Sequence, residues 1–480
     1  MKNLVLLTDS YKTSHHKQYP ADTRKIYSYF ESRKGADFDH TLFFGLQYLI
    51  KEYLAGKVVT SEDVDEAAWY VKEHMGPNIF NEEGWRYIVR EHNGRLPIRI
   101  KAVPEGTEVP SGNVLMTVEN TDPNCFWLTN YLETLLCHVW YASTVATLSK
   151  ATKNLILGHL DRTGTPELVD FKLHDFGFRG VSSVESAGIG GLAHLVNFKG
   201  TDTMEALVFA NKYYNNQGAA GFSIPASEHS TMTSWADETE AMRNMLTIYP
   251  TGLVACVSDS YDIYNACENI WGGKLKDMVM NRNGTLVVRP DSGDIVEVTL
   301  KVIKTLADAF GCEQNQQGYW VLNDKVRVIQ GDGCTYDTIR MVLDNLEAHA
   351  FSADNIAFGM GGGLLQRVNR DTQRFAFKCS QRTDIHGTEH DVFKTPITDP
   401  GKNSKRGRLA LIQTEDGFQT VKGPHKDDLL VTVFENGVLL KDYTFEEVRE
   451  RSNVRKAAIH ETEMAVIQKK MSDTSKALTP

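Results

Sequence analysis

Thr285-Leu-Val-Val-Arg-Pro-Asp291 is a β-rich run that stops at a Pro-Asp turn, and Ile295 to Phe310 behind it carries apolar residues at helical spacing. A strand followed at once by such a helix is half of a parallel βα unit. The pattern repeats on both sides: Gly252-Leu-Val-Ala-Cys-Val-Ser-Asp259 comes before it, and Val326-Arg-Val-Ile-Gln-Gly-Asp332 and Ile356-Ala-Phe-Gly-Met-Gly361 come after it. Their terminal landmarks fall roughly 30 to 40 residues apart, the length that a strand, a helix and two loops need. Tyr336 to Leu346 again has helical spacing. The expected class is therefore α/β, with a parallel sheet or (β/α) barrel-like catalytic domain over residues 151–384. In such a barrel, the residues just past the strand C-termini face the active site. Here they are repeatedly Asp, Arg and Gly.

The two ends lack this rhythm. Residues 1–150 mix strands and helices, and near the other end Leu429-Leu-Val-Thr-Val-Phe, the turn Glu435-Asn436-Gly437 and Val438-Leu-Leu read as a hairpin. Thr444 with Glu447 forms a capping box for a following helix. Both ends, 1–150 with 385–480, are expected to build one α+β domain, which contributes to a dimer interface; residues beyond about 471 read as a loose tail.

Of the 480 residues, 41% are hydrophobic and 10% aromatic, enough for a large core in two or three structural domains. A net charge of -10 argues against broad binding to nucleic acid or anionic membrane, so any phosphate site must be a local cluster of Arg, Lys and backbone amides. The apolar stretch Leu4 to Leu7 is too short for a signal peptide or a membrane span, and the seven cysteines hold no Cys-x-x-Cys pair. A cytoplasmic, reduced setting is the expectation.

Several motifs carry chemistry. Gly359-Met-Gly361-Gly362-Gly363 follows a strand and opens a helical stretch, so its N–H groups can cradle a phosphate, with Arg370 along that helix and Lys378 supplying charge. The same run also serves as a tight packing turn. Arg289-Pro-Asp291-Ser-Gly293 and Gln330-Gly331-Asp332-Gly333 each set a carboxylate in a turn, suited to ribose hydroxyls or to water-bound Mg2+, although Asp-Gly turns are common without function. In Asp175-Phe176-Gly177-Phe178-Arg179-Gly180 an exposed Phe can stack on a flat ring while Arg bonds a carbonyl or phosphate; Phe is also a core residue. Glu228-His229-Ser230 puts a carboxylate beside a histidine suited to general-base or nucleophilic work, and a structural or solvent-facing histidine is the plain alternative.

Taken together with Thr8-Asp-Ser-Tyr-Lys12, Lys17-Gln-Tyr-Pro20, Tyr27-Ser-Tyr-Phe-Glu-Ser-Arg33, Asn197-Phe-Lys-Gly-Thr-Asp202 and Ser258-Asp-Ser-Tyr-Asp262, these segments resemble the nicotinamide phosphoribosyltransferase family of type II phosphoribosyltransferases along nearly the whole chain. The resemblance implies transfer of a 5-phosphoribosyl group from phosphoribosyl pyrophosphate to nicotinamide in NAD salvage, by a homodimer with active sites at its interface. It implies a nicotinamide ring held between Phe176 and Tyr11 of the other subunit, Arg179 near the amide carbonyl and Asp202 accepting from the amide NH2. Asp291 and Asp332 would meet the ribose hydroxyls, with Arg289 by the ribosyl group and Gly331, Gly361, Gly362 and Arg370 in ribose and 5-phosphate binding. Lys378, Lys394 and Lys402, with Arg33 from the partner, would meet pyrophosphate or ATP phosphates. His229 matches the histidine that the family phosphorylates with ATP. Asp259 is expected to orient it or to stabilise an oxocarbenium-like transition state, in which Asp291 is also counted as catalytic. Mg2+ would ride mainly on substrate phosphates rather than on protein ligands, with ATP as a coupled co-substrate.

Two positions depart from the family pattern: Ala255 and Ala376 stand where serines are common. Two rival readings are a sister enzyme acting on nicotinate or quinolinate, and a non-catalytic binding or signalling protein on the same fold. Asp202 disfavours the acids, and joint retention of the polar residues disfavours the scaffold.

Overall fold

The computed structural model describes residues 2–415 and 417–453. Its barrel half is built on six parallel strands: β1 (Leu173–Asp175), β2 (Gly200–Thr201), β3 (Thr251–Val257), β4 (Asn283–Arg289), β5 (Val326–Gln330) and β6 (Ile356–Met360). Their order across the sheet is β2-β1-β6-β5-β4-β3. Register pairs such as Val254 with Leu286 and Val328 with Ile356 align the four runs that the sequence marked out. The C-terminal halves of these strands are buried, which is why they read as continuous apolar runs rather than as alternating ones.

The crossover helices follow from their side chains. The helix α1 (Val184–Leu195) connects β1 to β2, and α2 (Met204–Tyr214) follows β2. The third, α3 (Ile295–Phe310), is capped by Asp294, whose side chain accepts from the N–H groups of Val296 and Glu297; it buries Val298, Val302, Ile303, Leu306 and Phe310, and stops at Gly311 with φ 86°. The fourth, α4 (Tyr336–Ala348), starts from a Thr335–Thr338 capping box and buries Ile339, Val342, Leu343 and Leu346. The sheet is an open barrel whose gap is spanned by residues 222–226. Phe222 bridges Gly200 on β2, and Ala226 bridges Ala255 on β3.

The second sheet is antiparallel and seven-stranded, in the order Glu389–Asp391, Phe375–Asp384, Thr23–Ser32, Val114–Asn120, Ile98–Ala102, Val431–Glu435, Val438–Leu439. It draws strands from both ends of the chain, and its C-terminal contribution begins at Phe375 rather than at 385. The terminal hairpin turns at Asn436 and Gly437, both with positive φ (50° and 82°), as a two-residue turn that follows the strand twist requires. Thr444 and Glu447 exchange capping hydrogen bonds of 2.7 and 3.2 Å. The stretch beyond 471 read as a tail lies outside the described residues. All seven cysteines are unpaired, and among the described residues no helix is long and apolar enough to cross a membrane.

Lys172 pins the bottom of the barrel. Its buried ammonium donates to the carbonyls of Ala353, Asp354 and Ile356 at 3.0, 3.0 and 2.9 Å, which ties the start of β1 to the start of β6. Burial pulls its pKa down, while the Asp354 carboxylate pushes it back up. Lys172→Met strips a charged donor from those carbonyls, of which Ala353 O keeps only the Ile356 N–H, and is expected to cost about 3 kcal/mol. Denaturant unfolding reads this directly, and an unshifted midpoint would contradict the pinning role.

Candidate active site

A cavity of about 620 Å³ runs inside the barrel, lined among others by His174, Phe176, Asp202, Ser223, Ala255 and Arg289. Its floor is apolar: Ala255, Val287 and Ile329 form a small buried cluster against which Phe176, Ile224 and Ala357 pack. A flat, weakly polar ring suits such a wall. Phe176 sits just past β1, and its N–H donates to Met360 O at 3.0 Å. The ring reaches this position because residue 359 has no side chain. A methyl group at Gly359 would stand 1.9 Å from Phe176 Cε2. Gly359→Ala therefore displaces the ring, and the expected result is a roughly tenfold rise in KM for the aromatic substrate. An unaltered KM would show that the ring is not a substrate platform.

Asp202 follows β2. Its N–H donates to Asp175 O at 3.0 Å, and Ser223 Oγ donates to its carboxylate. Asp175, on the same strand end as Phe176, is buried, accepts from Gly177 N–H at 2.7 Å, and has its pKa raised to about 6 by burial. One residue thus anchors both the ring platform and the acceptor beside it. Arg179 lies exposed on the next turn, with no hydrogen bond or ion pair among the described residues.

The Asp291 and Asp332 turns converge on that ring. A methyl at Gly331 would lie 3.2 Å from Asp291 Oδ1 and 3.5 Å from Phe176 Cε2, so carboxylate and ring meet at this glycine. Gln330 Oε1 accepts from the N–H groups of Gly331 and Asp332 at 2.9 and 3.3 Å and holds the turn. Arg289 Nη2 stands 3.7 Å from Asp291 Oδ2. Burial pushes the Asp291 pKa up; Arg289 opposes this, and the charges of Asp259 and Asp332 add to it. The glycine turn packs on the same loop, since a methyl at Gly361 would lie 3.4 Å from Phe176 O and one at Gly180 3.7 Å from Gly362 N.

His229 opens a short helix, His229–Thr233, and its Nε2 lies 2.9 Å from Asp259 Oδ1. Asp259 Oδ2 accepts from Ser292 Oγ at 2.5 Å. The carboxylate that addresses the imidazole is therefore Asp259 and not the adjacent Glu228, which is held instead by Ser230 and by the capping box with Thr231.

One expectation is corrected. The helix behind the glycine run is one turn, Gly362–Leu365, so Arg370 lies beyond it rather than along it. The Asn369 side chain accepts from the N–H groups of Asp371 and Thr372, a local turn that competes with helix. Within one chain, basic side chains also gather on the antiparallel domain. Burial lowers the pKa of Lys378; Glu133 opposes this, and the charges of Lys394 and Arg33 of the same chain lower it further. Lys402 pairs with Asp399 at 3.2 Å. Tyr11 is 55% exposed, held edge-on by His15 at 4.8 Å and by the Lys12 ammonium 5.5 Å from its ring, and does not line the cavity. Ala376 is buried in the strand beside Glu31, and Ala255 is part of the apolar floor. Sequence reading assigned no role to Ser223, Ser292 or Gln330, and Gly359 read as part of a phosphate turn; Ser292 and Gln330 lie inside quoted motifs, but which side chain each meets is a long-range fact.

An open parallel barrel with carboxylates, an arginine and a glycine turn at its C-terminal rim, joined to an antiparallel domain, is the architecture of the type II phosphoribosyltransferases. Two solved structures share it over most of their length. A nicotinate-nucleotide pyrophosphorylase from Pyrococcus furiosus aligns with TM-score 0.60 at 15% identity, covering 94% of this chain and 95% of that one. Human nicotinic acid phosphoribosyltransferase aligns with TM-score 0.53 at 16% identity, covering 94% and 93%. Residues 171–438 match the nicotinate phosphoribosyltransferase (NAPRTase) family and residues 3–100 the nicotinamide phosphoribosyltransferase N-terminal domain. A nicotinamide phosphoribosyltransferase of Xanthomonas campestris pv. campestris is 51% identical over 94% of this chain and 98% of its own length, and one of Acinetobacter baylyi is 35% identical over 92% and 95%. The chain belongs to the nicotinamide phosphoribosyltransferase family of enzymes.

Proposed function

We propose that the protein transfers the 5-phosphoribosyl group of phosphoribosyl pyrophosphate to nicotinamide, giving nicotinamide mononucleotide and pyrophosphate. The observation that carries this is a carboxylate, Asp202, fixed by Ser223 and Asp175 in the cavity that Phe176 also lines. A fixed acceptor welcomes an amide NH2 and repels a carboxylate; sites for nicotinate or quinolinate need a cation there. Arg179, with no hydrogen bond or ion pair among the described residues, meets the amide carbonyl, and Tyr11 of a second subunit covers the other ring face. This reading makes the working unit a homodimer.

In the reaction the pyridine nitrogen forms a bond to C1 of the ribose, the C1–O bond breaks, and its electron pair leaves with pyrophosphate. Asp291 and Asp332 hold the ribose hydroxyls, and their negative charge favours the cationic sugar of the transition state. Arg289 and the 361–363 turn, with Arg370, orient the phosphoribosyl group, and the Arg33, Lys378 and Lys394 group, joined by Lys402, receives the departing phosphates. Mg2+ would neutralise pyrophosphate charge. The rim supplies hard carboxylate oxygens from Asp291 and Asp332, which suit its water shell. Among the described residues the group close enough to act as a three-ligand site is His92, Asp122 and Cys125 on the antiparallel domain, so the cation fits as one carried by substrate phosphates.

ATP couples through His229. With Nε2–H donated to Asp259, Nδ1 keeps its lone pair and attacks the γ-phosphorus; the bond to ADP breaks, and water later cleaves N–P to release phosphate. The test of the reaction is stoichiometric formation of mononucleotide and pyrophosphate from phosphoribosyl pyrophosphate, nicotinamide and Mg2+. Absence of both products would return the chain to the non-catalytic alternative.

A further inference from the structure

The Asp259 side chain is 4% exposed, and each of its oxygens is taken by a different loop: Oδ1 by His229, which precedes β3, and Oδ2 by Ser292, which follows β4. The two strand ends are also joined through the backbone, where Ser258 N–H donates to Arg289 O at 3.0 Å. Ser292 is the neighbour of Asp291, whose carboxyl feels the charges of both Asp259 and His229. The turn that meets ribose and the pair that meets ATP therefore share one hydroxyl. A serine hydroxyl has a single proton to give, and Ser292 is exposed, so a sugar-phosphate reaching the turn competes for it or tightens it.

We infer that Ser292 is a positioning residue that links the ribose turn to the His229–Asp259 pair, so that phosphorylation of His229 and capture of phosphoribosyl pyrophosphate are coupled through the Ser292–Asp259 hydrogen bond. This rests on the phosphohistidine reading. Through the bond, a phosphate on His229 alters the position of Asp259 and with it the turn that carries Asp291. Occupancy of the turn alters ATP binding in return, because coupling between two sites is reciprocal.

The experiment compares kcat/KM for phosphoribosyl pyrophosphate with and without ATP, as a ratio, in the wild type and in Ser292→Ala, Ser292→Cys and Ser292→Thr. The ratio is expected to fall at least about fivefold in Ser292→Ala, to be intermediate in Ser292→Cys, which donates weakly, and to return in Ser292→Thr, which keeps the hydroxyl. A wild-type ratio retained in Ser292→Ala or Ser292→Cys overturns the link alone. Equal losses with and without ATP also leave the ratio unchanged; they confine Ser292 to the ribose turn and overturn the link as well. A wild-type ratio of one overturns the phosphohistidine reading and the link with it.

Discussion

His229→Ala is expected to reduce ATP hydrolysis to background while leaving slow phosphoribosyl transfer. The imidazole is nearly half exposed, and the buried carboxylate of Asp259 fixes its Nε2. That arrangement presents the opposite nitrogen outward as a nucleophile, and removing the ring removes the only group the account gives to phosphoryl transfer. None of the groups assigned to the nicotinamide ring or the ribose is touched. The measurement is phosphate release beside mononucleotide formation in one sample. Undiminished hydrolysis would dismiss the phosphohistidine, and loss of both activities would move His229 into the transfer step itself.

The second large effect belongs to Asp202→Asn. A nicotinate carboxylate about 4 Å from Asp202 meets a repulsion of about 4 kcal/mol at an effective dielectric near 20, or several hundredfold in discrimination. Asparagine removes the charge and can turn its amide NH2 toward an acid. The expected result is a fall in the nicotinamide-to-nicotinate preference of at least about a hundredfold, mostly through a lower KM for nicotinate. If the preference survives, discrimination lies elsewhere, with Arg179 or the cavity floor as the next groups to test.

The barrel was legible because the C-terminal halves of its strands are buried on both faces: four apolar runs ending in Asp or Gly match β3 to β6 nearly to the residue. Strands β1 and β2 were not read as strands. They span three and two residues, too short for any period to register, and they are held by partners distant in the chain, β1 by β6 and β2 by residue 222. Similarly, Phe375–Asp384 follows the barrel in sequence but pairs with Thr23–Ser32, a choice set by the far end of the chain.

Motifs marked the candidate residues, but geometry shows which neighbours they meet. Glu228 is next to His229 in sequence, yet Asp259 serves it across thirty positions. Gly359 looked like part of a phosphate turn; the closeness of Phe176 gives it a steric purpose. Such pairings share a cause: chain order carries the identity of a side chain, and which neighbour it meets is fixed by folding.

The most direct measurement is kcat/KM for nicotinamide and for nicotinate under identical phosphoribosyl pyrophosphate, Mg2+ and ATP. A preference for nicotinamide of a hundredfold or more is the result the Asp202 site predicts. Equal use of the two, or a preference for nicotinate, would contradict it.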